Sequence, residues 1–237
     1  MALPIIAAPE FEATIPSTGQ RIFFRPFLVK EEKALYIALE GGESREIINS
    51  VTNVLKSCIK TEIDVSKLSY FDVEYLFLKL RAKSVGDIVT LRFKHGGESP
   101  ECKHIQEIPL NLDQVELERD ETHTDKIMVT DTVGVKLKYP TLSIAEKTGN
   151  IDMTNINNVF NFITDSIEYV FDNDTVYEGS TSKEIKDWLE TLSQKQFEKI
   201  MEFFNTMPKL KKTITYTCTA CSKEESVTVE GLQGFFV

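Results

Sequence analysis

The sequence predicts an α+β fold: a tandem duplication of a strand hairpin, helices and a second, zinc-knuckle-like β-hairpin. Three observations predict it. Four blocks of similar pattern recur in the same order along the 237 residues. Short alternating strands flank helical apolar stripes, which is how antiparallel sheets and helices share one domain. Each repeat ends in a hairpin with two potential metal ligands near its tip. The first repeat takes residues 1–117, the linker 118–126 and the second repeat 127–237.

The first block is "ATIPSTGQRIFFRPFLVKEEK" from Ala13, matched by "VTDTVGVKLKYPTLSIAEK" from Val129. Each predicts a short strand, a turn with a glycine (Gly19, Gly134) and an alternating strand. Pro26 and Pro140 end those strands and open a helix. The second block is an apolar stripe at helical spacing. It runs through Ile47, Ile48, Val51, Leu55, Cys58 and Ile59 in one copy, and Val159, Phe160, Ile163, Ile167, Val170 and Phe171 in the other. This register sets Cys58 opposite Val170, so Cys58 is expected to be a small buried core residue.

The third block pairs "LSYFDVEYLFLKL" with "LSQKQFEKIMEFF". Ser69 and Ser193 are the expected N-caps, with Asp72 and Gln196 at the capping-box position. The second copy carries "SKEIKDWLE" before this block, read as extra helix. The fourth block pairs "VTLRFKHGGESPECKHIQEIPLNLDQVEL" with "KTITYTCTACSKEESVTVEGLQGFF". Leu91 matches Ile214, Phe93 matches Tyr216, and His95 falls on Cys218. After a longer loop, Cys102 falls on Cys221. The linker "ERDETHTDK" is polar, as a surface connection should be.

The candidate metal ligands are therefore His95, Cys102, Cys218 and Cys221, a set suited to a structural zinc ion. Zinc takes thiolate and imidazole in a tetrahedron, and four protein ligands leave no open position for catalysis. His104, two residues from Cys102, could replace His95. The alternatives are reduced, unligated thiols, or a site lost from the first copy. A redox pair fits less well, because "CTACSKEESVTV" leads into a strand rather than a helix whose N-terminus would activate a thiol.

Composition bounds the function. The net charge of −10 disfavours nucleic acid as a partner. No apolar run is long enough for a membrane span. "MALPIIAAPEFE" has no cationic start, and Pro4 and Pro9 break its apolar run, so no signal peptide is expected. There is no phosphate-binding glycine loop and no nucleophile elbow, so the chain is read as a non-enzyme. The apolar end "GLQGFFV" is expected to pack as a last short helix and strand, or to serve as a docking tail.

"FRPFLVKEEKAL" after the "STGQ" turn, and "YLFLKLRAKSVGDIV" before the first ligand-bearing hairpin, resemble the baseplate hub assembly proteins of T-even-like myophages. That family includes a small hub subunit and a hub assembly catalyst. "TCTACSKEESVTVEGL" extends the resemblance into the second half. Members often carry a cysteine pair in the first hairpin; here His95 stands where a cysteine is expected, with a longer loop.

The resemblance implies a late tail-morphogenesis protein, an assembly chaperone or minor component of the baseplate central hub. Its implied partners are hub and central tail proteins. Its implied location is the host cytoplasm during assembly, with the virion baseplate as the alternative. "RPFLVKEEK" and "RAKSVG" are interface candidates; alternatively, Arg25 and Arg81 pair locally and fix strand–helix junctions. A zinc-ribbon structural or adaptor protein unconnected with phage tails is the competing reading.

Overall fold

The computed structural model describes residues 6–94, 102–142 and 156–231, apart from the side chains of Ser44 and Ile156. The fold is α+β, with six helices and eleven strands in small antiparallel sheets among the described residues. It divides into two compact units. The first takes the described residues of 1–65, 71–118 and 209–237, and the second takes 66–70 and 119–208. This partition follows packing, whereas the boundaries expected from the sequence, 1–117 and 127–237, rest on pattern similarity alone.

In the first unit, β1 (Phe11–Thr14) pairs with β2 (Arg21–Phe24). The turn between them closes through the Gly19 amide on the Ile15 carbonyl, with Gly19 in the left-handed region at φ 72°. Ser17 donates its amide (2.9 Å) and hydroxyl (2.6 Å) to the Asp72 carboxylate, so Asp72 ties this turn to α3. Helices α1 (Val29–Gly41) and α2 (Ser44–Cys58) follow. Val51, Val54, Leu55 and Cys58 of α2 are buried, as the stripe requires. Helix α3 (Tyr70–Ser84) buries residues around most of its circumference, Phe77 fully.

At the β2–α1 junction, Arg25 takes the local role. Its guanidinium donates to Glu31 Oε1 (3.0 Å) and to the carbonyls of Pro26 and Ser57. Glu31 also accepts the Leu28 amide at 2.7 Å, capping the start of α1. Burial works to raise the Glu31 pKa. The Arg25 hydrogen bond, the Leu28 amide and the Arg25 and Lys30 charges outweigh it and hold the carboxyl below its usual range.

The folded pKa is depressed, so its stabilisation is fully present above the ordinary glutamate value. It is lost as pH falls through the lowered folded value. Glu31→Gln keeps an acceptor for Leu28 but removes the charge facing Arg25. We expect it to cost about 1–3 kcal/mol at pH 7 and to flatten the acid limb of stability. Urea unfolding at pH 7 and pH 4 checks this; two superimposable pH profiles would refute it.

The first unit continues with β3 (Ile88–Lys94) and β4 (Ile105–Asn111), paired from Ile88↔Asn111 to Lys94↔Ile105. Strand β5 (Leu117–Glu118) pairs with β10 (Lys209–Thr217), which pairs with β11 (Glu224–Glu230). Leu78 and Ala82 of α3 pack with Val89, Leu91, Leu110, Leu112, Val115, Leu210 and Val229 in one core. The β3–β4 and β10–β11 hairpins are both rooted in it.

The second unit is built on a sheet in the order β6 (Lys126–Met128), β7 (Gly134–Leu137), β8 (Ile167–Phe171), β9 (Val176–Tyr177). Two sequence expectations change here. Gly134 is not the turn residue; it lies in β7 opposite Phe171, where a Cβ would overlap that ring. The stripe from Val159 to Phe171 is not one helix. Helix α4 (Ile156–Ser166) stops at Ser166, whose carbonyl accepts the Lys138 amide, and "IEYVF" pairs with β7 instead. β-Branched and aromatic residues suit that strand, and a partner edge was there to receive it.

The extra segment forms α5 (Ser182–Leu189), capped by Thr181 and Glu184. Helix α6 (Gln194–Thr206) is capped by Ser193 and Gln196, as its sequence predicts. Residues 232–237 lie outside the described residues, and with them most of the apolar end. No helix among the described residues is long and apolar enough to cross a membrane.

Candidate metal centre

The β10–β11 hairpin owes its form to alternation. Thr213 and Thr215 face Thr228 and Ser226 across the strands, their hydroxyls 3.2 and 2.9 Å apart, while Ile214 packs on the core. Pairing ends at Thr217↔Glu224. The tip closes through the Cys218 amide on Lys223 O (2.8 Å) and the Ser222 amide on Cys218 O (2.9 Å), with Ser222 at φ 59°.

This tight turn aims amides at sulfur. The N–H groups of Ala220 and Cys221 donate to Cys218 Sγ, and that of Lys223 to Cys221 Sγ. Burial pushes the Cys218 thiol up. The two amides, with the neighbouring thiols of Cys221 and Cys102, outweigh that and hold its pKa below the usual value. At Cys221 the Lys223 amide favours the thiolate, but burial and the two other sulfurs prevail and raise the pKa. Such a turn stabilises negative charge on sulfur, which a metal-ligating thiolate requires.

The first hairpin brings the third sulfur. Cys102 Sγ lies 3.8 Å from Cys218 Sγ, and Cys102, Cys218 and Cys221 offer ligand atoms all within 4.8 Å of one another. All three are free thiols, and Cys218 is buried. Three thiols so placed could hold a metal ion.

Phe93 of β3 and Tyr216 of β10 stack on each other with ring centroids 6.5 Å apart. Thr219 donates its amide (3.2 Å) and hydroxyl (3.1 Å) to Gln106 Oε1, and its hydroxyl lies 3.0 Å from His104 Nε2. These contacts clamp one hairpin to the other beside the sulfurs. Tyr216 donates to Glu225 at 3.0 Å. Burial, that bond and the nearby sulfurs push its phenol up to about 12.

Three of the four sequence-predicted ligands thus converge. The fourth, His95, lies outside the described residues. His104 is engaged with Thr219 and is not in the cluster. Cys58 stands apart as a core residue, fully buried, its thiol raised to about 11 by that burial. The Cys-x-x-Cys segment leads into β11 and not into a helix. Gln106 and Thr219 are contributors that sequence reasoning missed; nothing local marks either residue, since their pairing depends on two distant hairpins meeting.

A family model described as T4 bacteriophage base plate protein matches residues 8–237. The chain belongs to the T4 bacteriophage base plate protein family. The matched span takes in both hairpins and all three cysteines of the cluster. Comparisons with curated proteins and with solved structures each found no match. In this base plate protein, the thiol cluster and the clamp around it belong wholly to the first compact unit.

Proposed function

We propose that this base plate protein acts in assembly of the central hub of a contractile-tail baseplate, through protein–protein contact and without covalent catalysis. The observation that carries the reading is the family match across residues 8–237. Its partners are hub and central tail proteins. It works in the host cytoplasm during assembly, and in the virion baseplate where it is retained. The acidic balance of −10 favours protein over nucleic-acid partners.

The proposal includes a structural zinc ion held by Cys102, Cys218, Cys221 and His95. In support, a tetrahedral ion with Zn–S bonds of about 2.3 Å sets its sulfurs about 3.8 Å apart, the separation of Cys102 and Cys218. The ion would fasten one hairpin tip to the other. The proposal also treats residues 1–117 and 127–237 as two copies of one unit; the stacked Phe93 and Tyr216 support that reading.

Mass spectrometry of what co-purifies with the tagged chain from infected cells, set beside the content of purified particles, tests the role. Hub subunits in the pull-down with no chain in particles fit a transient assembly factor. Hub subunits together with the chain in particles fit a retained component. Absence of hub subunits and of the chain from particles would overturn the reading.

A further inference from the structure

The chain's single tryptophan lines an open pocket in the second unit. Among the described residues, Val133, Val170, Ile185 and Trp188 supply its apolar wall, around a cavity of about 330 Å³. Two carboxylates, Asp172 and Glu184, share the lining. Neither is placed at random. Asp172 accepts the amides of Asp174 (3.0 Å) and Thr175 (2.8 Å) and the Tyr177 hydroxyl (2.8 Å). Glu184 Oε2 accepts the Thr181 amide (2.7 Å) and hydroxyl (2.8 Å) at the start of α5. These bonds, the Asp174 amide first at Asp172 and the Thr181 amide first at Glu184, lower both pKa values, so both groups are charged at neutral pH.

The surroundings carry the same sign. From Asp165 to Glu190 the chain has eight acidic residues and two lysines. Anionic ligands are therefore disfavoured. The volume is at the low end for a small-molecule site and suits one or two side chains. Beside it, Val176 and Tyr177 on the edge strand β9 are about half exposed.

We propose that this pocket receives an arginine or lysine side chain, flanked by aliphatic residues, from a partner protein. The apolar wall covers the methylene stem, which long basic side chains bury readily while keeping the head group polar. The carboxylates take the cationic head, and an indole is the best aromatic surface for a cation. This goes beyond the hub reading, whose interface candidates, "RPFLVKEEK" and "RAKSVG", lie outside this pocket.

Trp188 makes the test direct. The full-length protein is titrated with N-acetyl-Leu-Arg-Leu-amide at low salt while its tryptophan emission is followed. The corresponding Leu-Gln-Leu and Leu-Glu-Leu peptides are titrated alongside. A saturable change with the arginine peptide is expected, about fivefold weaker for the glutamine peptide and weaker still for the glutamate peptide. Glu184→Gln should weaken the arginine peptide about two- to fivefold. Glutamine also completes a capping box at this position, so α5 stays capped, and circular dichroism checks that the variant folds.

No saturable change with the folded protein, or equal affinity for the arginine and glutamate peptides, would overturn the proposal. So would an unchanged arginine titration for folded Glu184→Gln at low salt. The titration uses purified protein alone, so a failed hub pull-down leaves it standing, and its own failure leaves the hub reading intact.

Discussion

The wild-type chain is expected to purify with close to one zinc ion, and Cys218→Ser without it. The serine hydroxyl stays protonated and cannot replace a thiolate as a ligand. Binding free energies of about 10–16 kcal/mol in isolated zinc-finger peptides set an upper bound. The loss here is smaller, because Leu91, Leu110, Leu210 and Val229 hold the two hairpins in one core without metal. A cost of about 4 kcal/mol is expected, in the range reached when a metal site is lost.

The damage should be local at first. The amides of Ala220 and Cys221 lose their sulfur acceptor and exchange faster with solvent. Cys58→Ser is the matched control: it strains a buried core position outside the cluster and is expected to keep the zinc. Elemental analysis, thermal melting and hydrogen exchange read the three effects. A wild-type protein that is metal-free as purified, with a melting curve indifferent to added zinc and to chelator, would remove the zinc proposal.

Phe203→Ala is expected to have the largest effect in the second unit, about 3–5 kcal/mol. Phe203 is 1% exposed. Its ring centroid lies 5.0 Å from that of His123, 5.6 Å from Tyr139 and 5.1 Å from Phe204. Truncation leaves a cavity under all three. It also frees His123, which the polar linker turns inward to stack on Tyr139 at 5.6 Å and to bond Thr206 at 2.9 Å through Nδ1.

Burial holds the His123 pKa below its usual value, against the pull of Asp125 and Asp120. A lowered folded pKa means the unfolded chain binds the proton first. Stability is therefore full above the ordinary histidine value, near 6.5, and declines as pH falls through the lowered one. In Phe203→Ala water reaches the imidazole, so its pKa should rise toward the ordinary value and that pH dependence should shrink. Urea unfolding gives the cost, and NMR titration of His123 gives the pKa. A destabilisation under about 1 kcal/mol with an unmoved His123 would mean that the aromatic cluster repacks.

Much of this fold was legible because its signals are local. Ser193 and Gln196 announce the start of α6, Thr181 and Glu184 that of α5, and alternation from Lys209 to Glu230 describes a hairpin. The Cys-x-x-Cys tip was readable because two thiols three residues apart on a hairpin converge wherever the hairpin is placed, whereas Cys102, 116 positions away, was named by aligning the two hairpin sequences. Ile167, Val170 and Phe171 were misread for the opposite reason. Their spacing fits a helix as well as a strand, and the edge of β7 that decides between them lies about thirty residues away. Gly134 resembles a turn glycine in sequence, but its role is set by the Phe171 ring. Gln106 and Thr219 share this property: each acts through a residue more than a hundred positions away.

The short pairing of β5 with β10 has a consequence for synthesis. Glu118 and Lys209 are register partners, so the segment between them leaves the first unit and rejoins it at neighbouring points. On the ribosome, β3, β4 and Cys102 emerge early, and β10 follows on the order of ten seconds later. Until then Leu91 and Leu110 lack the cover of Leu210 and Val229, and Cys102 lacks Cys218 and Cys221. The nascent chain carries an unfinished apolar face, while the residues of the second unit have already emerged. A product truncated before Lys209 has neither the closing strand nor the thiol pair, so a completed cluster reports that translation has passed Cys221.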